Sequence, residues 1–153
     1  MKLLLAMTFD DPRLQARFAE LKHKLMRTAS VDFEKRALHQ EKQQHWAEAA
    51  RSWLRVAEGR PDDSYPLQRA ALALLEAGTE LRAAIDHAKR AVELAPHEAE
   101  AHRTLAKVYV AADMQASARA ALEAAQRCSG AGDASEEGPT GLLKRLLGRD
   151  NSD

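Results

Sequence analysis

The sequence predicts an all-α protein, a right-handed α-solenoid of about three helical hairpins with one extra N-terminal helix, or about seven helices. Two observations predict this fold class. Alanine and other small residues recur at a period of 34 to 35 residues through most of the chain. In addition, aromatic residues make up only 5% of the 153 residues while alanine is abundant, which favours close-packed helices over a sheet.

The period is clearest in Ala49, Ala84 and Ala118, which are separated by 35 and 34 residues. Small residues at fixed positions let helix backbones approach closely, but a single hairpin cannot bury its apolar face. Stacked hairpins are therefore expected, with a one-residue slip in the period because the turn at Gly78 has one additional residue. The predicted hairpins are residues 30–63, 64–97 and 98–129. Other periodic sets are Val56, Ala91 and Ala125; Trp53, Ala88 and Leu122; Ala37, Ala71 and Ala106; and Phe33, Leu67 and His102.

A separate helix is predicted over residues 10–28, within an N-terminal segment 1–29. Asp10 or Asp11 can cap it, and Pro12 fits its first turn. An apolar stripe at helical spacing follows, and we expect it to cover the exposed face of the first hairpin. The stripe consists of Leu14, Phe18, Leu21 and Leu25.

Capping and breaking residues divide the hairpins into helices. Ser30, Thr79 and Asp113 are predicted to cap the helices that follow them. Gly59 with Pro61 is predicted to end the first hairpin, Pro66 to lie in the first turn of the next helix, and Gly78 to end that helix.

The C-terminal residues have two different characters. Residues 130–140 are rich in glycine, serine and acidic residues, which predicts a flexible linker. Residues 141–149 form a short basic amphipathic segment that is expected to cap the last hairpin, dock on another protein or lie on an anionic membrane. Its apolar side is Leu142, Leu143, Leu146 and Leu147, and its basic side is Lys144, Arg145 and Arg149.

The repeats resemble the tetratricopeptide repeat (TPR). Leu105, Ala106 and Tyr109 match the first helix of that motif in the third unit, and Ala118 and Ala125 match the second. The resemblance covers residues 30–129 and extends to C-terminal repeat segments of bacterial J-domain proteins. The chain has no His-Pro-Asp triplet and so lacks the J domain. The resemblance implies a protein-interaction adaptor that binds partners on its concave face.

The residue pattern indicates no enzyme, no cofactor and no metal site. His97 and His102 are five residues apart, which turns them away from each other on a helix, and Cys128 has no evident base beside it. Lys plus Arg and Asp plus Glu both number 23, so nothing draws the whole chain to nucleic acid. A single cysteine suits a reducing compartment, and we expect a cytoplasmic protein.

The concave face should be lined by the first helix of each hairpin and should bind a peptide or helix of a partner protein. Arg69, Arg103 and Lys107 would give it a basic end that favours an acidic ligand. A clamp for chaperone C-termini is not expected, because Glu34, Leu38, Glu100 and Thr104 occupy the matching positions. The candidate groove residues are Glu34, Lys35, Leu38, Lys42, Gln68, Arg69, Leu72, Arg103, Thr104 and Lys107.

Two alternative functions remain open at the level of sequence. The chain could be a self-assembling structural subunit, because the last hairpin has no full capping helix directly after it. It could also be a membrane-surface adaptor that uses residues 141–149 for peripheral contact.

Overall fold

The computed structural model of the protein describes residues 11–130, and all regular structure among them is α-helical. It contains six helices rather than the seven expected. They are α1 (Pro12–Lys42), α2 (Trp46–Gly59), α3 (Tyr65–Ala77), α4 (Leu81–Leu94), α5 (Ala99–Ala111) and α6 (Gln115–Ser129).

The helices stack as hairpins along one direction. α1 packs on α2, α3 on α4 and α5 on α6, while α2 on α3 and α4 on α5 join consecutive hairpins. α3 also contacts α5 directly, so first helices of neighbouring hairpins lie side by side. The predicted all-α solenoid of three hairpins is therefore confirmed.

The periodic alanines form the contacts between the helices. Ala49, Ala84 and Ala118 are at most 2% exposed, and the equivalent set Ala37, Ala71 and Ala106 is buried to the same degree. A methyl side chain at these points lets two helix axes approach closely while larger neighbours fill the grooves. The first hairpin differs from the others because Trp53, fully buried, stands where the second hairpin has Ala88.

The turn inside each hairpin places one residue in the left-handed region. Gln44, Gly78 and Asp113 have φ of 61°, 65° and 58°, at intervals of 34 and 35 residues. The middle turn contains a second left-handed residue, Glu80, with φ of 50°, and it has one more residue than the others between its first left-handed residue and the helix that follows. The predicted one-residue slip at Gly78 is therefore confirmed. The predicted caps Thr79 and Asp113 are wrong, because Glu80 and Met114 occupy the N-cap positions of α4 and α6.

α1 is one uninterrupted helix of 31 residues, so the predicted boundary between residues 29 and 30 is wrong. Asp11 caps it as expected, accepting a hydrogen bond from the Arg13 backbone N–H at 2.9 Å. Ser30 is no cap, because no glycine or proline near it breaks the helix. It is instead a small, buried residue that Gly59 of α2 approaches closely.

The first part of α1, residues 12–25, extends beyond the end of α2 and is here called the projecting segment. Every residue in it is exposed, and Leu14, Phe18, Leu21 and Leu25 have 37% to 71% of their surface accessible. At 1.5 Å per residue the segment is about 20 Å long. The expectation that this stripe covers the first hairpin is wrong, since a continuous helix cannot fold back over it.

Two sets of predictions fall outside residues 11–130: the linker 130–140 beyond Gly130, and the amphipathic segment 141–149. Among the residues that the structure describes, no helix is long and apolar enough to cross a membrane.

The close approach of α1 and α2 predicts that Gly59→Ala destabilises the fold. A Cβ at residue 59 would lie 2.5 Å from the Met26 carbonyl oxygen and 2.7 Å from the Ser30 Cβ. We expect the free energy of unfolding to fall by about 2–3 kcal/mol in urea denaturation. Gly78→Ala is the control, because a Cβ there meets nothing within 4 Å and only the positive φ opposes it, costing about 1 kcal/mol. A Gly59→Ala protein as stable as the parent would contradict this packing.

Candidate functional site

The candidate groove is the face shared by α1, α3 and α5, the first helix of each hairpin. Residues at equivalent repeat positions share this face because each hairpin repeats the same geometry. Such sets are Val31, Tyr65 and Glu100; Leu38, Leu72 and Lys107; and Glu41, Leu75 and Val110.

A hydrogen-bonded cluster of Glu41, Trp53 and Arg69 ties the first three helices together beside this face. The Trp53 indole N–H donates to Glu41 Oε1 at 2.7 Å, and the Arg69 guanidinium pairs with Glu41 Oε2. Arg69 Cζ also lies 5.7 Å from the centre of a Trp53 ring, and Tyr65 packs edge-on against the same side chain at 5.6 Å. Because Trp53 is fully buried, its N–H requires an acceptor, and Glu41 supplies it.

Other polar residues of the predicted groove are bound to the protein's own hairpins. Glu34 pairs with Arg60, at the end of α2, with Oε2 and Nη2 2.5 Å apart. Gln68 Nε2 donates to Glu98 Oε2 and to the Ser64 hydroxyl, both at 3.1 Å. The Glu34 pair holds the first hairpin together and the Gln68–Glu98 bond joins the second hairpin to the third, so Glu34 and Gln68 have little capacity left to bind a ligand.

The structure separates the predicted groove residues by accessibility. Gln68 and Thr104 are 3% and 1% exposed, so they lie beneath the surface rather than on it. The Thr104 hydroxyl oxygen and Arg69 Nε are buried and lack a hydrogen-bond partner among residues 11–130. Glu34, Arg69 and Leu72 are half-buried, whereas Lys35, Leu38, Lys42, Arg103 and Lys107 are exposed.

The predicted basic end of the groove carries less unpaired positive charge than the sequence indicated. Arg69 is paired with Glu41, and Arg103 donates to Glu100 Oε2 at 3.1 Å and to the Ser129 hydroxyl at 3.2 Å. Lysines supply the remaining positive charge, since Lys35, Lys42 and Lys107 make no ion pair within the described part of the chain.

The residues that the sequence reading missed are mainly apolar. Val31, Tyr65 and Val110 lie at groove positions, and with Leu38 they are 40% to 52% exposed. Apart from these, the exposed large apolar side chains of residues 11–130 are Met114 and the stripe of the projecting segment. The repeat period alone could have identified them, because Val31 and Tyr65 occupy equivalent positions in consecutive hairpins, as do Leu38 and Leu72.

The histidines and Cys128 are the side chains of residues 11–130 that would most readily support metal binding. No group of three or more His, Cys, Asp or Glu side chains there is placed to hold a metal ion. His102 Nε2 lies 2.8 Å from the Pro96 carbonyl oxygen, and the Cys128 thiol donates to that oxygen at 3.6 Å. Burial lowers the pKa of His87 on α4, against the opposing effect of the Asp86 and Glu80 carboxylates.

Comparison with known proteins identifies the fold. No protein-family model matches the sequence. A search among curated proteins gives no significant match either. Solved structures do match. The TPR2B domain of yeast Sti1, in its pHsp70 complex, is 19% identical with a TM-score of 0.64, over 77% of this chain and 91% of that one.

Two further structures agree with this result. The Sgt2 TPR domain from Aspergillus fumigatus is 16% identical, with a TM-score of 0.63 over 82% of this chain and 89% of its own. The first TPR of Spaghetti (RPAP3), bound to the HSP90 peptide SRMEEVD, is 16% identical, with a TM-score of 0.63 over 78% and 94%. The chain thus has the fold of tetratricopeptide-repeat domains.

The cluster around Trp53 predicts that Glu41→Ala is costly. It would leave the buried indole N–H without an acceptor and the half-buried Arg69 without its counter-charge, so stability should fall by about 2–3 kcal/mol. Glu93→Ala removes an exposed ion pair with Arg90 and should cost less than about 0.5 kcal/mol. Urea midpoints measure both, and equal midpoints for the two variants would show that the cluster does not hold the first three helices together.

Proposed function

We propose that the protein is a non-catalytic adaptor that binds a peptide or helix of a partner protein in the candidate groove. The observation that carries this proposal is the exposure of apolar side chains at repeating groove positions, namely Val31, Leu38, Tyr65 and Val110. Apolar side chains left in solvent along one face are typical of a surface that a partner covers. Val31 and Tyr65 share one repeat position, and the four side chains are spread over α1, α3 and α5, which favours an extended or helical ligand over a small molecule.

The groove favours a ligand with spaced apolar anchors and acidic residues between them. Apolar anchors would cover Val31, Leu38 and Val110, as in a helix laid in a groove. Acidic residues would face Lys35, Lys42 and Lys107, the groove lysines that make no ion pair among residues 11–130. The ligand we propose is therefore an acidic amphipathic segment.

The similar structures support peptide binding but not the same ligand. Sti1 TPR2B is described with pHsp70, and the first TPR of Spaghetti with the HSP90 peptide SRMEEVD. In this chain the positions that match a chaperone-tail clamp carry Glu34, Leu38, Glu100 and Thr104. Glu34 and Glu100 supply no cation for a terminal carboxylate, and Thr104 is 1% exposed.

The predicted C-terminal segment 141–149 adds a second contact with the partner in this proposal. Its four leucines and three basic residues suit docking on a protein surface, and residues 130–140 would tether it beside the last hairpin. The resemblance to repeat segments of bacterial J-domain proteins and the cytoplasmic location stay predictions.

Selection of peptides from a random library on the full chain tests the groove. We expect the selected peptides to share spaced apolar anchors and acidic residues. Leu38→Ser with Val110→Ser should weaken their binding roughly tenfold in a fluorescence titration. The matched control, Leu21→Ser with Leu25→Ser, removes two exposed leucines outside the groove and should leave binding unchanged.

Two results of that titration would contradict the groove: peptides whose binding both double variants weaken equally, or peptides that neither variant affects. The same titration with residues 1–135 measures what the C-terminal segment adds. If the shortened chain binds as tightly as the full chain, the second contact is absent.

The clamp positions predict that the peptide SRMEEVD binds no more tightly than a scrambled peptide of the same composition. A titration of both peptides, each with a free and an amidated C-terminus, checks this. Tighter binding of SRMEEVD that is lost on amidation would show a carboxylate clamp that the residues at positions 34, 38, 100 and 104 do not suggest.

A further inference from the structure

The projecting segment presents an apolar stripe that the hairpins do not use. Leu14, Leu21 and Leu25 are 50%, 53% and 71% exposed, and Phe18, between them, is 37% exposed. At about 100° per residue, the stripe is rotated by about 130° from Met26, Ser30 and Ala37, the positions at which α1 approaches or packs on α2. The stripe therefore faces away from α2, and a longer α2 would not cover it.

The stripe ends where the projecting segment joins the first hairpin. Continuing along the same side of α1, the next positions are Thr28, Asp32 and Arg36, all of them exposed and polar. The apolar surface is thus limited to about three turns of helix at the N-terminal end of the described residues, and it is not a continuation of the core.

The charges around the stripe have one dominant sign. Residues 12–28 contain five basic side chains and one acidic side chain, whereas the whole chain carries 23 of each. The acidic residue, Glu20, is paired with Lys24 at 2.9 Å. Arg17 and Lys24 flank the stripe on one side and Lys22 on the other, each about 70–90° from its centre. The five basic residues are Arg13, Arg17, Lys22, Lys24 and Arg27.

These charges distinguish three possible binding partners of the stripe: a second copy of the chain, residues 141–149 and an anionic surface. A second copy of the chain would bring two sets of five cations together, and residues 141–149 carry Lys144, Arg145 and Arg149, again of the same sign. Both pairings are opposed by repulsion. An anionic surface is favoured instead. Cations on both flanks of a single convex helix suit a flat layer of phosphate groups, which long Lys and Arg side chains reach while leucines enter the apolar layer.

We propose that residues 12–28 of α1 bind the surface of anionic phospholipid bilayers as a peripheral amphipathic helix. Leu14, Leu21 and Leu25 enter the boundary between headgroups and acyl chains, and the flanking Arg17, Lys22 and Lys24 contact lipid phosphates. Such binding is reversible and weakens with salt, because part of it is electrostatic. This proposal does not depend on the groove, which lies on the hairpins.

Flotation of the full chain with lipid vesicles tests the proposal. We expect at least roughly tenfold more bound protein on phosphatidylcholine vesicles containing about one-quarter phosphatidylserine than on pure phosphatidylcholine. Raising the salt from about 0.1 M to about 0.5 M should release most of it. Leu21→Ser with Leu25→Ser, and separately Arg17→Glu with Lys24→Glu, should each reduce binding roughly tenfold.

Two control variants locate the binding element. Leu38→Ser with Val110→Ser removes the same number of exposed apolar side chains from the groove and should bind vesicles like the parent. Leu143→Ser with Leu146→Ser should also retain binding. Circular dichroism melting should be unchanged for Leu21→Ser with Leu25→Ser, since both leucines are exposed.

Three outcomes would overturn the proposal. The first is equal binding to anionic and neutral vesicles, or none to either. The second is vesicle binding that is abolished by the variants at residues 143 and 146 but not by those at residues 21 and 25. This result would assign lipid binding to residues 141–149. The third is a dimer in size-exclusion chromatography that Leu21→Ser with Leu25→Ser dissociates, without lipid binding, which would make a second copy the occupant.

Discussion

The close approach of neighbouring helices at small residues is the constraint on which the structure depends. Ala49, Ala84 and Ala118 are buried at matching positions, and at Gly59 even a methyl group would collide with the backbone of α1. Helices this close leave no room for adjustment, since interiors pack at crystal-like density. The spacing of the hairpins is therefore set at these positions, and it fixes which sides of α1, α3 and α5 form a common face.

Trp53 is the exception among these small positions, and it determines the chemistry at one end of the groove. A buried indole needs a hydrogen-bond acceptor, and Glu41 provides it. That carboxylate then holds Arg69, so an arginine predicted to attract an acidic ligand is already neutralised within the protein. The groove presents exposed apolar side chains beside lysines that form no ion pair within the described residues, which favours apolar anchoring over capture of a carboxylate.

The exposed apolar side chains divide the described part of the molecule into two separate surfaces. One is the groove of the hairpins and the other is the stripe on the projecting segment; only Met114 belongs to neither. Their charges differ as well, because the segment is strongly basic whereas the groove contains both signs. In our proposals the groove binds a protein segment and the projecting segment binds an anionic lipid surface, so that one chain would hold a partner at a membrane.

The sequence by itself determined the helical hairpins, their period and their buried alanines, because these follow from local spacing and from side-chain size. It also determined the turn at Gly78 and narrowed the cap of α1 to Asp10 or Asp11, which are local backbone effects. Tertiary structure decided the rest. Whether Ser30 was exposed or buried depended on the approach of Gly59, and whether Arg69 faced a ligand or Glu41 depended on where Trp53 was buried. A residue's partners across 12 to 28 positions of sequence are fixed only when helices pack, so the sequence could place these side chains on a helix but could not say what each would contact.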